Sequence, residues 1–264
     1  MHTITLLQGM ELSIMAVIMG IDFWLESLFL FRPIIVCTIT GLILGDLNLG
    51  LIAGGLTELA FAGLTPAGGT QPPNPILAGV MTTVIAFTTG IQAQTAIGLA
   101  LPFSFLMQYI ILFYYSSFSF FMVKADKYAR EANVKAFVKL NILTTAIVAL
   151  TYGVVVFLST YVAQDATQML VQAMPVWLTH GFEIAGGILP GVGFGMLLKV
   201  MLQKQHIPYL IIGFLFTSFI KFSNLLPIAL LGTALAIYEY FNEKDKYQIL
   251  SKSAMKGEDN NEGI

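Results

Sequence analysis

The sequence predicts an all-α polytopic membrane protein with about 8–10 transmembrane or re-entrant helical segments. Composition is the first reason: 56% of the 264 residues are hydrophobic and only 11% are charged, against roughly 25% charged residues in soluble domains. The second reason is that the apolar runs lack the two-residue alternation of barrel strands. Because hydrocarbon leaves backbone polar groups unsatisfied, such runs must cross the bilayer as helices.

Apolar segments follow one another along the chain. They cover residues 4–21, 33–45, 50–64, 76–98, 100–123, 140–163, 182–203, 207–222 and 224–241. Segments 76–98, 100–123 and 140–163 have the roughly 20 residues of a full crossing. Segments 33–45 and 50–64 are shorter and rich in glycine, which predicts broken helices that lie against protein or a water-filled pathway. Asp46, between them, is predicted to be a turn residue.

The distribution of basic side chains predicts the orientation of the chain. Before residue 124 the only lysine or arginine is Arg32, and the others cluster mainly at 124–139, 199–204 and 244–256. By the positive-inside rule these clusters are cytoplasmic, and we expect a multi-pass protein of an inner membrane. Residues 164–181 are too polar to span, and we predict an outer loop with a short surface helix there.

The domain organisation predicted from these patterns is simple. Residues 1–241 form one transmembrane domain, and residues 242–264 form a polar, disordered cytoplasmic tail. Cys37 is the only cysteine and the three histidines are isolated from one another, which indicates neither a disulfide framework nor a metal site. There is no basic stripe for nucleic acid and no nucleotide-binding or catalytic motif, so we expect no cofactor.

Glu58 is the most prominent charged residue of the apolar segments. It lies within LTELAFA, residues 56–62, and a carboxylate in hydrocarbon costs roughly 2.5 kcal/mol or more. One interpretation is a helix-packing or backbone-capping role. The other is that Glu58 accepts hydrogen bonds from a solute hydroxyl or amide in a water-filled cavity, which makes it a candidate substrate-binding residue.

Glu26 is a second candidate, within DFWLESLFLFRP at residues 22–33. On a helix, Asp22 and Glu26 share one face. The segment is typical of an interfacial helix anchored by Trp24 and Arg32. Sugar sites also combine carboxylates with aromatic rings, so a substrate-binding role for Glu26 remains open.

The stretch TPAGGTQPPNP, residues 65–75, cannot form a regular helix because glycine and proline interrupt it. A surface loop is one interpretation. Apolar segments adjoin both ends, however, and no charged residue occurs between Glu58 and Lys124, which favours a re-entrant segment along a transport pathway. Its Thr70, Gln71 and Asn74 are neutral donors and acceptors suited to the hydroxyls and amide of a sugar.

The two halves of the sequence contain a faint internal similarity. ELAFAGLTP at residues 58–66 is similar to EIAGGILP at 183–190, with one residue fewer before the proline. Paired glycine- and proline-broken segments are a sequence sign of inverted repeats in transporters. We therefore expect inverted repeats in the fold.

Three stretches together resemble a known family: FRPIIVCTITGLILGD at residues 31–46, GGLTELA at 54–60 and HGFEIAGGILP at 180–190. They are similar to IIC membrane subunits of the mannose/fructose/sorbose family of phosphotransferase systems. Residues 56–75 resemble the N-acetylgalactosamine or galactosamine branch. Mannose-type members carry an aspartate after the proline, where this chain has Pro73 and Asn74.

The resemblance implies a function and a set of partners. A IIC subunit forms the sugar pathway with a IID membrane subunit, in an oligomeric complex with soluble IIA and IIB phosphocarriers. Phosphoenolpyruvate is the ultimate phosphoryl donor, and the sugar is phosphorylated as it reaches the cytoplasm. The resemblance also implies a moving sugar-binding core. The chain would then be a non-catalytic translocation subunit. The candidate sugar contacts, proposed above from their own chemistry, are Glu26, Glu58, Thr70, Gln71 and Asn74.

Three alternatives remain open from the residues alone. A stand-alone ion-coupled transporter would use Glu58 and Glu183 as proton or ion sites. A membrane-embedded enzyme would need a constellation of nucleophile, base and metal that the sequence does not suggest. A purely structural subunit would leave sugar binding to IID.

Overall fold

The structure, a computed structural model, describes residues 2–63, 72–220 and 226–258. These residues form helices, and no strand is assigned among them. The helices are α1 (Leu6–Leu25), α2 (Pro33–Leu44), α3 (Leu47–Phe61), α4 (Pro75–Thr89), α5 (Ala93–Ser117), α6 (Ser119–Arg130), α7 (Val134–Phe157), α8 (Gln164–Ala173), α9 (Val176–Met201), α10 (Ile207–Phe219) and α11 (Leu226–Glu258). A π-helical turn, Leu158–Val162, extends α7.

Among the residues that the structure describes, four helices are long and apolar enough to cross a membrane. They are α1, α5, the continuous helix Val134–Val162 and α9, and α2, α3 and α4 are shorter apolar helices. The prediction of an all-α polytopic membrane protein is therefore confirmed. Long helices combined with short ones also confirm the predicted breaks at 33–45 and 50–64, which form α2 and α3.

The contacts divide the chain into two units, residues 1–200 and residues 201–264. The smaller unit contains α10 and α11, and the Tyr209 hydroxyl donates to Glu239 Oε2 at 2.7 Å. The boundary predicted between 241 and 242 does not coincide with this division. The structure also continues as helix to Glu258, whereas the sequence predicted a disordered tail from 242. The assignment of 1–241 to the membrane and of the remainder to the cytoplasm stays a prediction.

Two of the predicted crossings have different limits in the structure. The run 76–98 is two helices, because α4 ends at Thr89 and Gly90 caps it with a φ of 74°. This left-handed conformation favours glycine, which has no Cβ to clash. The next helix, α5, therefore begins at Ala93 and ends at Ser117, instead of spanning 100–123.

The short helix predicted within 164–181 is α8, Gln164–Ala173. Its neighbour α9 begins at Val176 rather than at 182, so the apolar helix includes residues that the sequence placed in the loop. The backbone N–H of Ile4 donates to Gln164 Oε1 at 2.8 Å, which connects the N-terminal segment to the start of α8.

The larger unit is organised by two sets of helix contacts. The first helix packs along α7, and the Ser13 hydroxyl donates to the Gly153 carbonyl at 2.9 Å. The four helices α2 to α5 pack on one another, with fully buried Ile76, Leu77 and Met81 of α4 at the centre. This arrangement places the start of α4, where the predicted pathway segment ends, beside α5 and α7.

Candidate functional site

Glu58 lies near the end of α3, where its carboxylate faces the start of α2. Its Oε1 accepts hydrogen bonds from Nε of Arg32, at 2.7 Å, and from Nη2 of the same side chain. Its Oε2 accepts the backbone N–H of Ile34 at 3.2 Å. The Glu58 side chain is 22% exposed and that of Arg32 is 38% exposed. The carboxylate is thus half-buried and already has three donors.

Two physical effects stabilise the Glu58 carboxylate at this position. Arg32 neutralises its charge, and a guanidinium can supply two donors to one carboxylate. The N-terminus of α2, with Arg32 as its N-cap residue and Pro33 following, adds the partial positive charge of unsatisfied N–H groups. Glu58 therefore caps the start of α2 through the Ile34 N–H and pairs with Arg32, which agrees with the capping interpretation. A solute that binds Glu58 would have to share its carboxylate with these two partners.

Asn74 is the N-cap residue of α4 and is only 1% exposed. Its Oδ1 accepts the backbone N–H groups of Ile76 and Leu77, each at 3.1 Å. Its Nδ2 donates to the Tyr152 hydroxyl of α7 at 2.5 Å. Its backbone carbonyl accepts the Ser104 hydroxyl at 2.7 Å. The structure gives Asn74 a structural role, and sugar binding by this residue stays a prediction.

Glu26 ends α1 in the left-handed conformation, with φ 48° and ψ 43°, and is exposed. The neighbouring acid, Asp22, is 6% exposed. Its carboxylate accepts the backbone N–H of Leu28 at 2.7 Å and that of Leu30 at 2.6 Å. Asp22 thus holds the turn that presents Glu26, a role that the sequence analysis did not assign. The signal in the sequence was a carboxylate about one turn before the end of α1.

Asp22→Asn should destabilise the protein by about 1–3 kcal/mol. The asparagine side chain has one acceptor oxygen for the two backbone N–H groups of Leu28 and Leu30, and its NH2 group would face one of them. The measurement is the thermal unfolding midpoint of the purified protein in detergent. Glu11→Gln, at an exposed position of the same helix, is the matched control and should leave the midpoint unchanged. Equal midpoints for the two variants would contradict the role given to Asp22.

The other predicted site residues are not brought into one cluster. Thr70 and Gln71 lie outside the described residues. Glu58 belongs to α3, Glu26 to the end of α1 and Asn74 to the start of α4. Within the described part of the chain, no hydrogen bond joins these three side chains to one another. The predicted sugar site therefore remains a prediction, and two of its residues, Glu58 and Asn74, have structural roles as helix caps.

The second half of the internal similarity has a different local structure from the first. The Glu183 side chain is 45% exposed, and its Oε2 lies 3.3 Å from Nδ1 of His180 on the same helix. The helix α9 continues through Gly186, Gly187 and Pro190, whereas α3 ends at Phe61. The segment that we expected to be broken is thus helical throughout. Inverted repeats stay a prediction.

Long apolar helices, together with short ones that end at Gly45 and Gly90, define a multi-pass helical membrane protein. Broken helices of this kind are typical of transporters. The family model described as "PTS system sorbose-specific IIC component" matches residues 6–238. The chain belongs to this family of IIC components of sugar phosphotransferase systems. Membership of this family supports group translocation, in which the sugar is phosphorylated as it is transported. It disfavours the stand-alone ion-coupled transporter.

Individual relatives cover nearly the whole chain. It is 68% identical to "N-acetylgalactosamine permease IIC component 1" of Escherichia coli (strain K12), over 94% of this chain and 93% of the relative. It is 31% identical to "PTS system sorbose-specific EIIC component" of Klebsiella pneumoniae, over 89% and 88%. It is 28% identical to "PTS system mannose-specific EIIC component" of Escherichia coli (strain K12), over 98% and 97%.

Two solved structures share the fold. One, described as "Structure of membrane protein", has a TM-score of 0.81 at 29% identity and covers 93% of this chain and 99% of its own. The other is a cryo-EM structure of the mannose transporter ManYZ with a microcin, with a TM-score of 0.58 at 28% identity over 90% and 96%.

Proposed function

We propose that this chain is the subunit through which N-acetylgalactosamine, or galactosamine, crosses the bacterial inner membrane. The observation that carries the proposal is the difference in similarity: 68% identity to the N-acetylgalactosamine relative against 28% to the mannose-specific one. The neutral amides and hydroxyls of Thr70, Gln71 and Asn74 suit an amino sugar because they bind its hydroxyl and amide groups and leave no buried charge unpaired when it departs.

The same proposal includes the partners. A IID membrane subunit completes the pathway, and soluble IIA and IIB subunits carry the phosphoryl group from phosphoenolpyruvate to the sugar. This chain performs no chemistry of its own. Phosphorylation adds charge to the delivered sugar, and hydrocarbon rejects that charge, so the product is trapped in the cytoplasm.

Competition for uptake tests the substrate. Cells that express this chain with its IIA, IIB and IID partners take up labelled N-acetylgalactosamine in the presence of an equal excess of unlabelled sugar. N-acetylgalactosamine and galactosamine should compete strongly, whereas mannose and sorbose should compete weakly. Mannose competing as well as N-acetylgalactosamine would overturn the substrate assignment and leave the family membership intact.

Within the predicted pathway segment, Gln71→Ala should raise the KM for uptake about tenfold, the loss expected for one neutral hydrogen bond of about 1.4 kcal/mol. The amount of protein in the membrane should not change. Thr70→Ser retains the hydroxyl and is the matched control with a KM near that of the parent chain. An unchanged KM for Gln71→Ala would remove Gln71 from the proposed site.

A further inference from the structure

The helices α1 and α7 pack tightly along part of their contact and separate at one end. In the middle of α1, the Ser13 hydroxyl donates to the Gly153 carbonyl at 2.9 Å. A Cβ built on Gly20 would stand 2.6 Å from Cδ2 of Tyr152, so the tyrosine ring lies directly against the α1 backbone. Past Gly20 the two helices leave a cavity of about 400 Å³ between them. The pair therefore opens toward the end of α1 and the start of α7.

The cavity is an apolar groove, which we call the α1–α7 groove. It is lined by Ile21 and Leu25 of α1 and by six residues of α7 between Phe137 and Ala146. Over this stretch α7 rises by about 14 Å, and the hydrocarbon of one leaflet is about 15 Å thick. The groove thus matches the depth of one leaflet, whereas the groove for a transmembrane partner helix would extend along about 30 Å.

Two lysines extend the α7 wall of the groove beyond its open end. Lys135, Lys139, Ile142 and Ala146 follow one another at spacings of four, three and four residues, which places them along one face of the helix. Both lysines are exposed. Neither forms an ion pair with a carboxylate in the described part of the chain. The apolar groove therefore ends at two positive charges that the protein leaves without a counter-ion.

The position of Lys135 on α7 indicates the charge of the missing partner. Lys135 lies in the first turn of α7, where the unsatisfied N–H groups carry a partial positive charge that disfavours a cation. The same partial charge favours an anion, so the helix end and the two ammonium groups attract an anion together. A phospholipid supplies both an anionic phosphate for the lysines and an apolar chain for the groove.

We propose that the α1–α7 groove and the pair Lys135 and Lys139 form a binding site for one anionic phospholipid. Its phosphate lies at the two ammonium groups, and one acyl chain lies in the groove. Basic pockets between transmembrane helices bind anionic lipid headgroups in this way. The bound chain fills the space where α1 and α7 separate. This site does not depend on the proposed sugar substrate.

The test is a lipid titration of the purified full chain in detergent, followed by native mass spectrometry, which counts the lipid molecules bound. The parent chain should bind one phosphatidylglycerol more tightly than any further lipid, and should bind phosphatidylcholine, which has no net charge, more weakly. Lys135→Gln/Lys139→Gln should raise the Kd for phosphatidylglycerol about thirtyfold, the effect of two basic side chains on an anionic headgroup. The Kd for phosphatidylcholine should not change.

The matched control for charge is Lys199→Gln/Lys204→Gln, which removes the same charge from exposed positions at the end of α9 and just after it. Its Kd for phosphatidylglycerol should stay within about twofold of the parent, because the attraction of a distant charge is screened. An equal loss in the two double variants would show a diffuse attraction of basic side chains to anionic lipid and would overturn the proposed site.

A second pair of variants tests the groove itself. Ala146→Leu places a larger side chain in the groove and should raise the Kd for phosphatidylglycerol about tenfold, since the acyl chain and the leucine compete for one space. Ala129→Leu makes the same change at an exposed position of α6 that does not line the groove, and should alter the Kd by less than about twofold. An unchanged Kd in Ala146→Leu would contradict the place given to the acyl chain.

The same titration on the complex with the proposed IID subunit decides between lipid and protein as the occupant. The complex should bind phosphatidylglycerol as tightly as the chain alone. If the complex no longer binds the lipid, IID covers the groove and the lipid site is refuted. Equal affinities of the parent chain for phosphatidylglycerol and phosphatidylcholine would also refute it, because the two lysines would then make no contribution.

Discussion

Arg32→Gln should sharply reduce the amount of folded protein, because it leaves the Glu58 carboxylate without its cation. Removing one partner of a buried ion pair costs about 3–5 kcal/mol. The 38% exposure of the Arg32 side chain reduces this, and we expect about 2 kcal/mol. The Ile34 N–H remains as a donor but cannot neutralise the charge. The measurement is the thermal unfolding midpoint in detergent together with the amount in the membrane.

Glu58→Gln and the double variant Arg32→Gln/Glu58→Gln distinguish an effect on protein stability from an effect on sugar uptake. In Glu58→Gln the unpaired group is Arg32, whose long side chain can reach toward water, so the loss of stability should be smaller than in Arg32→Gln. The double variant Arg32→Gln/Glu58→Gln restores neutrality and should recover most of the unfolding midpoint. If Glu58 also contacts the sugar, uptake should remain low in the double variant. A double variant less stable than Arg32→Gln would contradict the pairing as the main role of Arg32.

Gly50→Ala should be the second change with a large effect, because α2 and α3 touch backbone to backbone at this position. A Cβ on Gly50 would stand 2.6 Å from the Cys37 carbonyl oxygen and 2.9 Å from Cα of Gly41. Backbone atoms cannot move aside as a flexible side chain can, so the helices must separate. Overpacking of this kind costs about 1–3 kcal/mol, and we expect the upper half of that range.

The control for Gly50→Ala is Gly55→Ala on the same helix, where an added Cβ would meet nothing within 4 Å. Alanine has the higher helix propensity, by about 0.8–1 kcal/mol, so Gly55→Ala should be neutral or stabilising. Measured in the same detergent, Gly50→Ala should lower the unfolding midpoint, and Gly55→Ala should leave it unchanged or raise it. Equal destabilisation by both changes would contradict the close crossing of α2 and α3.

The sequence was informative wherever a single local pattern determines the structure. The apolar composition predicted the helical membrane fold, and the glycines around Asp46 predicted the break between α2 and α3. Asp46 itself caps α3 by accepting the Leu49 N–H at 2.9 Å. The break at Gly90 was missed because the apolar run continues on both sides, and hydropathy averaged over a window does not register one residue with a positive φ.

Site residues were harder to predict because their partners are distant in the sequence. Arg32 was visible as the only arginine or lysine among the first 123 residues, but its pairing with Glu58 depends on the antiparallel packing of α2 and α3. The Tyr152 contact with Asn74 spans 78 positions, and no local pattern marks it. Helix caps were equally hard to distinguish from ligand contacts, since both use neutral and acidic oxygen acceptors.

The most direct test of the central claim is the uptake of labelled N-acetylgalactosamine by cells that contain this chain and the proposed IIA, IIB and IID partners. Uptake is measured with and without a functional phosphoryl donor chain. Our account predicts that labelled sugar phosphate appears inside only when the donor chain is functional. Accumulation of free, unphosphorylated sugar without the donor would contradict group translocation and would favour a stand-alone transporter.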